Sequence, residues 1–140
     1  EHVPLLFYWP KMLPAKRIHD VCSQVDILPS IASIAKVPYY NNTFGRDLFD
    51  TLALKTGNSI SNEKFAFIID HDVKTVGLVS AEYYFLKDTK TGKEEMVSVI
   101  NNEEIKPAAE TDSVKKYMST LTDAWHETAK YLLLNNKKKN

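Results

Sequence analysis

The chain opens with an uninterrupted apolar run, Val3–Trp9, that is rich in aromatic residues. The run is too short for a buried helix, and Pro10 ends it. It therefore predicts a strand covered on both faces, as in a parallel sheet between two helix layers. Pro4 has no N–H group, so we expect it at the first position of that strand or at a gap in its hydrogen bonding. Prolines and basic residues make Lys11–Arg17 a predicted loop.

A helix is predicted directly after Asp26, because an aspartate at this position can accept hydrogen bonds from the first free amides of a helix. Apolar residues follow at helical spacing to about Lys36. Pro38 disfavours helical geometry at the residue before it, so the helix should end there. The next stretch, Tyr39–Asn58, has the asparagine, threonine and glycine content of turns, and a short helical turn is possible at Asp47–Leu54.

Three β-rich runs come next and predict an antiparallel meander. Phe65–Ile69 and Thr75–Phe85 flank Asp70–Lys74, a short polar stretch typical of a hairpin turn. Lys87–Glu95 contains a second set of turn residues and leads to Glu95–Ile100, the third predicted strand.

The C-terminal part of the sequence has the clearest helical pattern. Apolar residues repeat with a period of about 3.6 from Val114 to Leu132, and Thr111 or Asp112 is the predicted cap. The order of all these elements predicts an α/β fold. It divides into residues 1–60 with a parallel strand, a helix and a loop, 61–106 with antiparallel hairpins, and 110–136 with the terminal helix.

Composition narrows the classes of function. The 140 residues include 18 Lys or Arg and 18 Asp or Glu, so there is no strong cationic field and nucleic acid is not an expected partner. A hydrophobic content of 44% is that of a globular chain. Cys22 is the single cysteine, which excludes an intrachain disulfide and any site built from several cysteines. No apolar run approaches the roughly 20 residues of a membrane-spanning helix.

Three segments, taken in order, carry a family resemblance: His2–Pro10 (HVPLLFYWP), Ser23–Ile31 (SQVDILPSI) and Asn42–Phe49 (NTFGRDLF). Together they resemble the C-terminal third of the sulfatase-like branch of the alkaline phosphatase superfamily. The subgroup is that of lipoteichoic acid synthases and membrane-anchored phosphoglycerol or phosphoethanolamine transferases. Ser30 stands where this subgroup usually has the threonine of a Pro-Thr pair. The resemblance extends to about Phe85 and is weaker beyond it.

The resemblance implies an alkaline-phosphatase-like α/β/α sandwich, of which this chain would be the C-terminal portion with a small antiparallel meander and a long final helix. It also implies a metal-dependent sulfatase, phosphoglycerol transferase or phosphoethanolamine transferase. Such an enzyme acts on sulfate or phosphate esters of cell-envelope substrates through an activated hydroxyl and a covalent intermediate. The divalent metal would be manganese, zinc, magnesium or calcium.

In that family the nucleophile and the metal ligands precede the first of the three segments. The resemblance therefore implies that this chain is a fragment that is inactive on its own and needs the N-terminal part of the same catalytic domain as its partner. The parent protein would be anchored in the inner membrane, with this portion periplasmic or extracellular. No catalytic residue and no metal ligand are expected within the fragment.

Two groups of side chains are candidates for supporting roles. The first would lie on the rim of the predicted sheet, where an anionic phosphate or sulfate ester could bind: His2, Lys11, Lys16 and Arg17. The second is the corner formed by Ser23, Gln24 and Asp26, which would cap the helix and support the metal pocket from outside its ligand shell. Solvated or capping roles are the simpler interpretation of both groups.

Several local features have a plain structural interpretation. Asp70-His71-Asp72 has metal-ligand residue types, but adjacent strand residues point to opposite faces and aspartate favours turns, so a hairpin turn is predicted. Gly45 is expected in a turn, and Arg46 is expected to pair with its neighbour Asp47. Cys22 has no base near it in sequence, so a nucleophilic role is not expected.

Two further hypotheses stay open. The chain could be a self-standing, non-catalytic module that binds an anionic ligand with the meander sheet and the Trp9–Arg17 loop. An unpaired strand at Val3–Trp9 would also expose apolar faces, which would favour self-association.

Overall fold

A four-stranded antiparallel sheet and a long helix packed on it form the centre of the chain. The computed structural model describes residues 3–50, 64–100 and 109–135. Its strands lie side by side in sequence order: β1 (Ala66–Asp70), β2 (Thr75–Val79), β3 (Tyr83–Asp88) and β4 (Glu94–Ser98). Helix α1 (Ile27–Ala35) follows a 3-10 turn at Gln24–Asp26, and helix α2 (Ala109–Asn135) comes last. The mixed helix and strand content predicted from the sequence is confirmed.

The register of the sheet explains the core. Phe67 on β1 pairs with Leu78 on β2, Leu78 with Phe85 on β3, and Phe85 with Met96 on β4. Residues paired in this way point to the same face, so they form one apolar row across the sheet. Met118 of α2 packs against this row, and Leu78 and Phe85 are fully buried. The 3.6-residue period of α2 therefore reflects packing on the meander.

The first hairpin turn confirms the prediction for Asp70-His71-Asp72. Asp70 Oδ1 accepts the backbone N–H groups of Asp72 and Val73 at 2.9 and 3.2 Å, which closes the turn between β1 and β2. Lys74 completes it with a φ of 59°, in the left-handed region. All these turn residues are exposed at the end of the hairpin.

The predicted strand Thr75–Phe85 is wrong in its length, because a turn divides it into two strands. The Ser80 hydroxyl accepts the backbone N–H groups of Glu82 and Tyr83, and Ser80 N–H donates to the Tyr83 carbonyl at 2.8 Å. A serine can replace backbone hydrogen bonds in this way without the glycine or proline that usually marks a turn. The sheet therefore has four strands instead of the three that the sequence predicts.

The helices agree with their predictions except at one end. α1 ends at Ala35, and Lys36 leaves the helix with a left-handed φ of 54°. α2 begins at Ala109, so the predicted caps Thr111 and Asp112 lie inside the helix. Capping residue types in the first helical turn resemble a cap in sequence, so the predicted start of the helix lies three to four residues too late.

The predicted parallel strand at Val3–Trp9 is wrong. This segment contains no strand, and most of its large apolar side chains are exposed. A buried strand needs neighbours on both edges, and the sheet in the described residues is an antiparallel meander that does not include this segment. An aromatic contact joins the segment to the loop after α1: the Phe7 and Phe49 rings meet edge to face with centroids 5.1 Å apart.

Candidate functional site

The corner predicted around Asp26 is the best-connected polar feature outside the sheet. Asp26 is buried at the end of the 3-10 turn, with 3% of its surface exposed. Its Oδ2 accepts the backbone N–H of Ser23 at 2.8 Å, and its Oδ1 accepts the backbone N–H of Arg46 at 2.9 Å. One carboxylate thus joins two chain segments that lie 20 residues apart.

Ser30 makes the second connection between the same segments. It is fully buried in the first half of α1. Its hydroxyl donates to the Asp26 carbonyl at 2.6 Å and accepts the backbone N–H of Leu48 at 3.0 Å. Ser30 stands where the resembling family usually has threonine, and it therefore keeps the hydroxyl that makes these two hydrogen bonds.

Arg46 neutralises the buried carboxylate. Its Nε lies 3.9 Å from Asp26 Oδ2, and its guanidinium also donates to the Val21 carbonyl. The predicted pairing of Arg46 with Asp47 is wrong. Asp47 Oδ1 instead accepts the backbone N–H of Phe49 at 2.8 Å, because an aspartate can close its own turn two residues on.

Gly45 permits the close approach on which this corner depends. A Cβ at this position would lie 1.9 Å from the Val25 carbonyl oxygen and 3.0 Å from a carbon of the Pro29 ring. The turn before it is closed by Asn41, whose side chain donates to the Gly45 carbonyl, and by the Thr43 hydroxyl, which accepts the Gly45 N–H at 3.0 Å. The predicted turn is confirmed, and the glycine is needed there for space.

Phe44 connects the corner to the sheet and to α2. Its ring stacks on Trp125 of α2 with centroids 5.0 Å apart and an interplanar angle of 12°. It also meets the Phe67 ring of β1 at 6.0 Å. The segment 42–49 therefore packs against the core on one side and holds Asp26 on the other.

The remaining members of the predicted corner have smaller roles. Ser23 contributes its backbone N–H to Asp26 and its carbonyl to the Asp26 N–H at 3.1 Å. Gln24 is exposed in the 3-10 turn.

The predicted cap role of Asp26 is wrong, because its side chain accepts no N–H group from the first turn of α1 and its backbone is itself helical, with φ −77° and ψ −16°. The carboxylate bonds instead to the N–H groups of Ser23 and Arg46. Sequence reasoning also missed Arg46 as a partner of Asp26 and Leu48 as a partner of Ser30. The only available signal was that all of them fall in the segments that carry the resemblance.

The predicted rim residues are not brought into one described cluster. Lys11 lies in a turn in which the Trp9 carbonyl accepts the N–H groups of Met12 and Leu13 at 2.9 and 2.8 Å. Lys16 and Arg17 follow in a segment without helix or strand, and all three cations are exposed. No ion pair joins any of them to another described residue. His2 lies outside the described residues.

Cys22 lies beside the corner and is exposed. Partial burial raises the pKa of its thiol, and the nearby Asp26 carboxylate raises it further, while Arg46 acts in the opposite direction. A raised pKa keeps the thiol protonated near neutral pH, which does not suit a nucleophile.

The corner does not fit a metal ion. Both Asp26 oxygens already accept N–H groups, and the Arg46 guanidinium beside them would repel a cation. Residues 3–50, 64–100 and 109–135 contain no group of three or more His, Cys, Asp or Glu side chains arranged to hold one. We therefore derive no chemical step through a metal from these residues.

None of the helices in the described ranges combines the length and the apolar character needed to cross a bilayer. No family model matches the chain, and a search of curated proteins gave no significant match. What the residues show by themselves is a hydrogen-bonded, charge-compensated corner that joins the Ser23–Ile31 and Asn42–Phe49 segments.

Proposed function

We propose that this chain is part of a metal-dependent sulfatase, phosphoglycerol transferase or phosphoethanolamine transferase that acts on sulfate or phosphate esters of cell-envelope substrates. In this proposal the chain is the C-terminal portion of an alkaline-phosphatase-like sandwich. The nucleophile and the metal ligands would come from elsewhere in the parent protein. The divalent metal would lower the pKa of the attacking hydroxyl and neutralise charge on the transferred group.

The observation that carries the proposal is the corner at Asp26. Two of the three segments that resemble the family are separated in sequence, yet the Asp26 carboxylate, the Ser30 hydroxyl and the Arg46 guanidinium hold them in one unit. Of the three, Asp26 is a fixed position of the family's pattern, Ser30 replaces its usual threonine but keeps the hydroxyl, and Arg46 stands at a position that the pattern leaves open.

The corner would act as a support for the active site. Buried residues whose hydrogen bonds are all satisfied hold a chain segment in one position, and enzymes depend on such support to keep reacting groups aligned. Asp26 and Arg46 would then be positioning residues that do not touch the ester. The parent would be anchored in the inner membrane with this portion outside the cytoplasm.

The test compares the 140-residue chain with the protein made from its whole reading frame. Both are assayed on nitrophenyl phosphate and nitrophenyl sulfate with added manganese or zinc. We expect turnover only from the product of the whole frame, and codons for a Thr or Ser nucleophile and an Asp-His-Gly segment should precede the codon for Glu1. Turnover by the 140-residue chain, or a frame that begins at Glu1, would contradict the proposal.

A binding measurement tests the second hypothesis, which is an anion-binding module without catalysis. The exposed cations Lys11, Lys16 and Arg17, which form no ion pair with described residues, favour it. Under that hypothesis the chain would bind inorganic phosphate or sulfate by calorimetry, and substitution of these cations by glutamine would abolish binding. Absence of binding would leave only the enzymatic proposal.

A further inference from the structure

Three aromatic side chains meet where the corner, the sheet and α2 come together. The ring centroids of Phe44 and Trp125 are 5.0 Å apart, those of Phe44 and Phe67 are 6.0 Å apart, and those of Phe67 and Trp125 are 5.7 Å apart. Each ring thus contacts the other two, although the three residues come from parts of the chain that are distant in sequence. We call Phe44, Phe67 and Trp125 the aromatic cluster.

Ring contacts and an exposed ion pair join residues 3–50 to the sheet and α2. The ion pair links Lys64 and Asp20, whose side chains are 34 and 48% exposed, so water and salt screen it and its contribution is small. The rings of the aromatic cluster are half-buried, and contacts between rings stabilise a structure beyond the apolar area that they bury. The position of the segment 42–49 relative to α2 should therefore depend more on the aromatic cluster than on this ion pair.

The loop around Phe44 fixes its ring to the corner. The Asn41 side chain donates to the Gly45 carbonyl and accepts the Thr43 N–H at 3.0 Å, and the Thr43 hydroxyl accepts the Gly45 N–H at 3.0 Å. Gly45 also lies so close to the Val25 carbonyl oxygen that a Cβ would be 1.9 Å from it. A displacement of Phe44 would therefore move a closed loop that lies directly against the 3-10 turn.

The residues that follow Phe44 supply the donors of the corner. The Arg46 N–H donates to Asp26 Oδ1 at 2.9 Å, and the Leu48 N–H donates to the Ser30 hydroxyl at 3.0 Å. Hydrogen bonds weaken steeply when their distance or angle departs from the optimum. Both bonds should therefore depend on where the aromatic cluster holds the segment 42–49.

We propose that Trp125 is a positioning residue for the corner at Asp26. Its indole holds the Phe44 ring, and the Phe44 loop holds the Arg46 and Leu48 donors, so α2 supports a site to which it gives none of the hydrogen bonds described above. This coupling is a property of the chain itself and is measurable without activity. Its consequence for turnover rests on the proposed function, because a support affects a reaction by keeping its groups aligned.

The simpler role for Trp125 is apolar packing alone. Trp125 also packs against the buried cluster that contains Leu78, Phe85 and Met118, so its loss removes contacts from the core as well. The two roles differ in which backbone amides respond to a substitution. Packing alone affects the sheet and the corner equally, whereas positioning affects the corner more.

Amide hydrogen exchange of the 140-residue chain separates the two roles. In Trp125→Ala we expect the Arg46 and Leu48 amides to exchange about tenfold faster, which is the change expected when about one aromatic contact is lost. The amides in the middle of β2 and β3 should change less. Equal acceleration of the corner and the sheet, or an unchanged corner, would overturn the proposal.

Three further variants make the result specific. Trp125→Phe keeps a ring that can stack on Phe44 and should retain most of the protection of the corner amides. Tyr131→Ala removes a ring that is 64% exposed on the same helix and should leave those amides unchanged. In Phe44→Leu the contact is already lost, so the added Trp125→Ala should have little further effect. Fully additive effects of the two substitutions would contradict a route through Phe44.

The product of the whole reading frame tests the consequence for the reaction. Trp125→Ala should lower kcat on nitrophenyl phosphate or nitrophenyl sulfate about tenfold, with KM and metal content unchanged, and Trp125→Phe should retain most of kcat. A wild-type kcat in Trp125→Ala would overturn the role in the reaction. If the wild-type protein turns over neither ester, the proposed function fails, and the exchange rates of the 140-residue chain still decide whether Trp125 holds the corner.

Discussion

Replacing Asp26 by alanine should destabilise the chain strongly, because it removes one acceptor from two backbone donors. The N–H groups of Ser23 and Arg46 both donate to this carboxylate, and the side chain is almost completely buried. Hydrogen bonds to a charged group contribute about 1.5 to 3 kcal/mol each. The loss should therefore be about 3 kcal/mol or more in the free energy of unfolding, with a further cost from the Arg46 guanidinium left without its counter-ion.

Urea denaturation followed by circular dichroism measures this loss. With an m-value of about 2 kcal/mol/M, the midpoint should fall by about 1.5 M urea. Asp26→Asn keeps one acceptor oxygen and should lose less. Asp123→Ala is the matched control, since its carboxylate binds Lys87 on the exposed side of α2 and should contribute no more than about 1 kcal/mol.

Amide hydrogen exchange gives the more specific readout of the same variant. The Arg46 amide should exchange slowly in the wild type and much faster in Asp26→Ala, because its acceptor is gone. If Asp26→Ala were no more destabilising than Asp123→Ala, or if the Arg46 amide kept its protection, the reasoning about the corner would be refuted.

Three further outcomes follow from the packing and the charges. Gly45→Ala should lower the free energy of unfolding by about 3 kcal/mol, because the new Cβ would overlap a backbone carbonyl. Gly92→Ala has open space and should lower it by only about 1 kcal/mol, for its φ of 71°. Similar losses of stability in thermal melts of the two variants would contradict this. Thr122→Val should stabilise the chain by about 1 kcal/mol, since the fully buried Thr122 hydroxyl has no hydrogen-bond partner among the described residues. A loss of stability in urea denaturation would show that the hydroxyl has a partner. The hydrogen bond to Asp123 raises the pKa of Lys87 above its ordinary value. Its contribution to stability is therefore complete below the pKa of lysine in the unfolded chain and is lost as the pH rises through the pKa in the folded chain. Lys87→Met should flatten the alkaline decline of the free energy of unfolding, and an unchanged decline would argue against the ion pair.

The sequence was sufficient for elements whose pattern is local. The helix at Ile27–Ala35, the hairpin turn at Asp70 and the amphipathic stripe of α2 were all predicted, because each depends on the spacing of neighbouring residues. The turn at Ser80 was missed because a serine hydroxyl formed it in place of glycine or proline. Periodicity alone does not report such a side-chain bond.

The candidate site was harder to predict because its contacts are distant in sequence. The sequence predicts that Asp26 caps α1, whereas its carboxylate accepts the N–H of Arg46, 20 residues away, and no local rule connects the two residues. Arg46 was assigned instead to Asp47, its nearest acid. The predicted strand at Val3–Trp9 is wrong for a related reason. An apolar run indicates that a segment prefers burial, but it does not indicate which strands are available to pair with it.

Metal dependence of ester turnover by the protein made from its whole reading frame is the most direct measurement of the central claim. The account predicts hydrolysis of nitrophenyl phosphate or nitrophenyl sulfate that stops when a chelator removes divalent metal and returns when manganese or zinc is restored. It also predicts that Asp26→Ala lowers kcat in that protein while its metal content is unchanged. Hydrolysis that continues in the chelator, or no hydrolysis of either ester with any divalent metal, would contradict it.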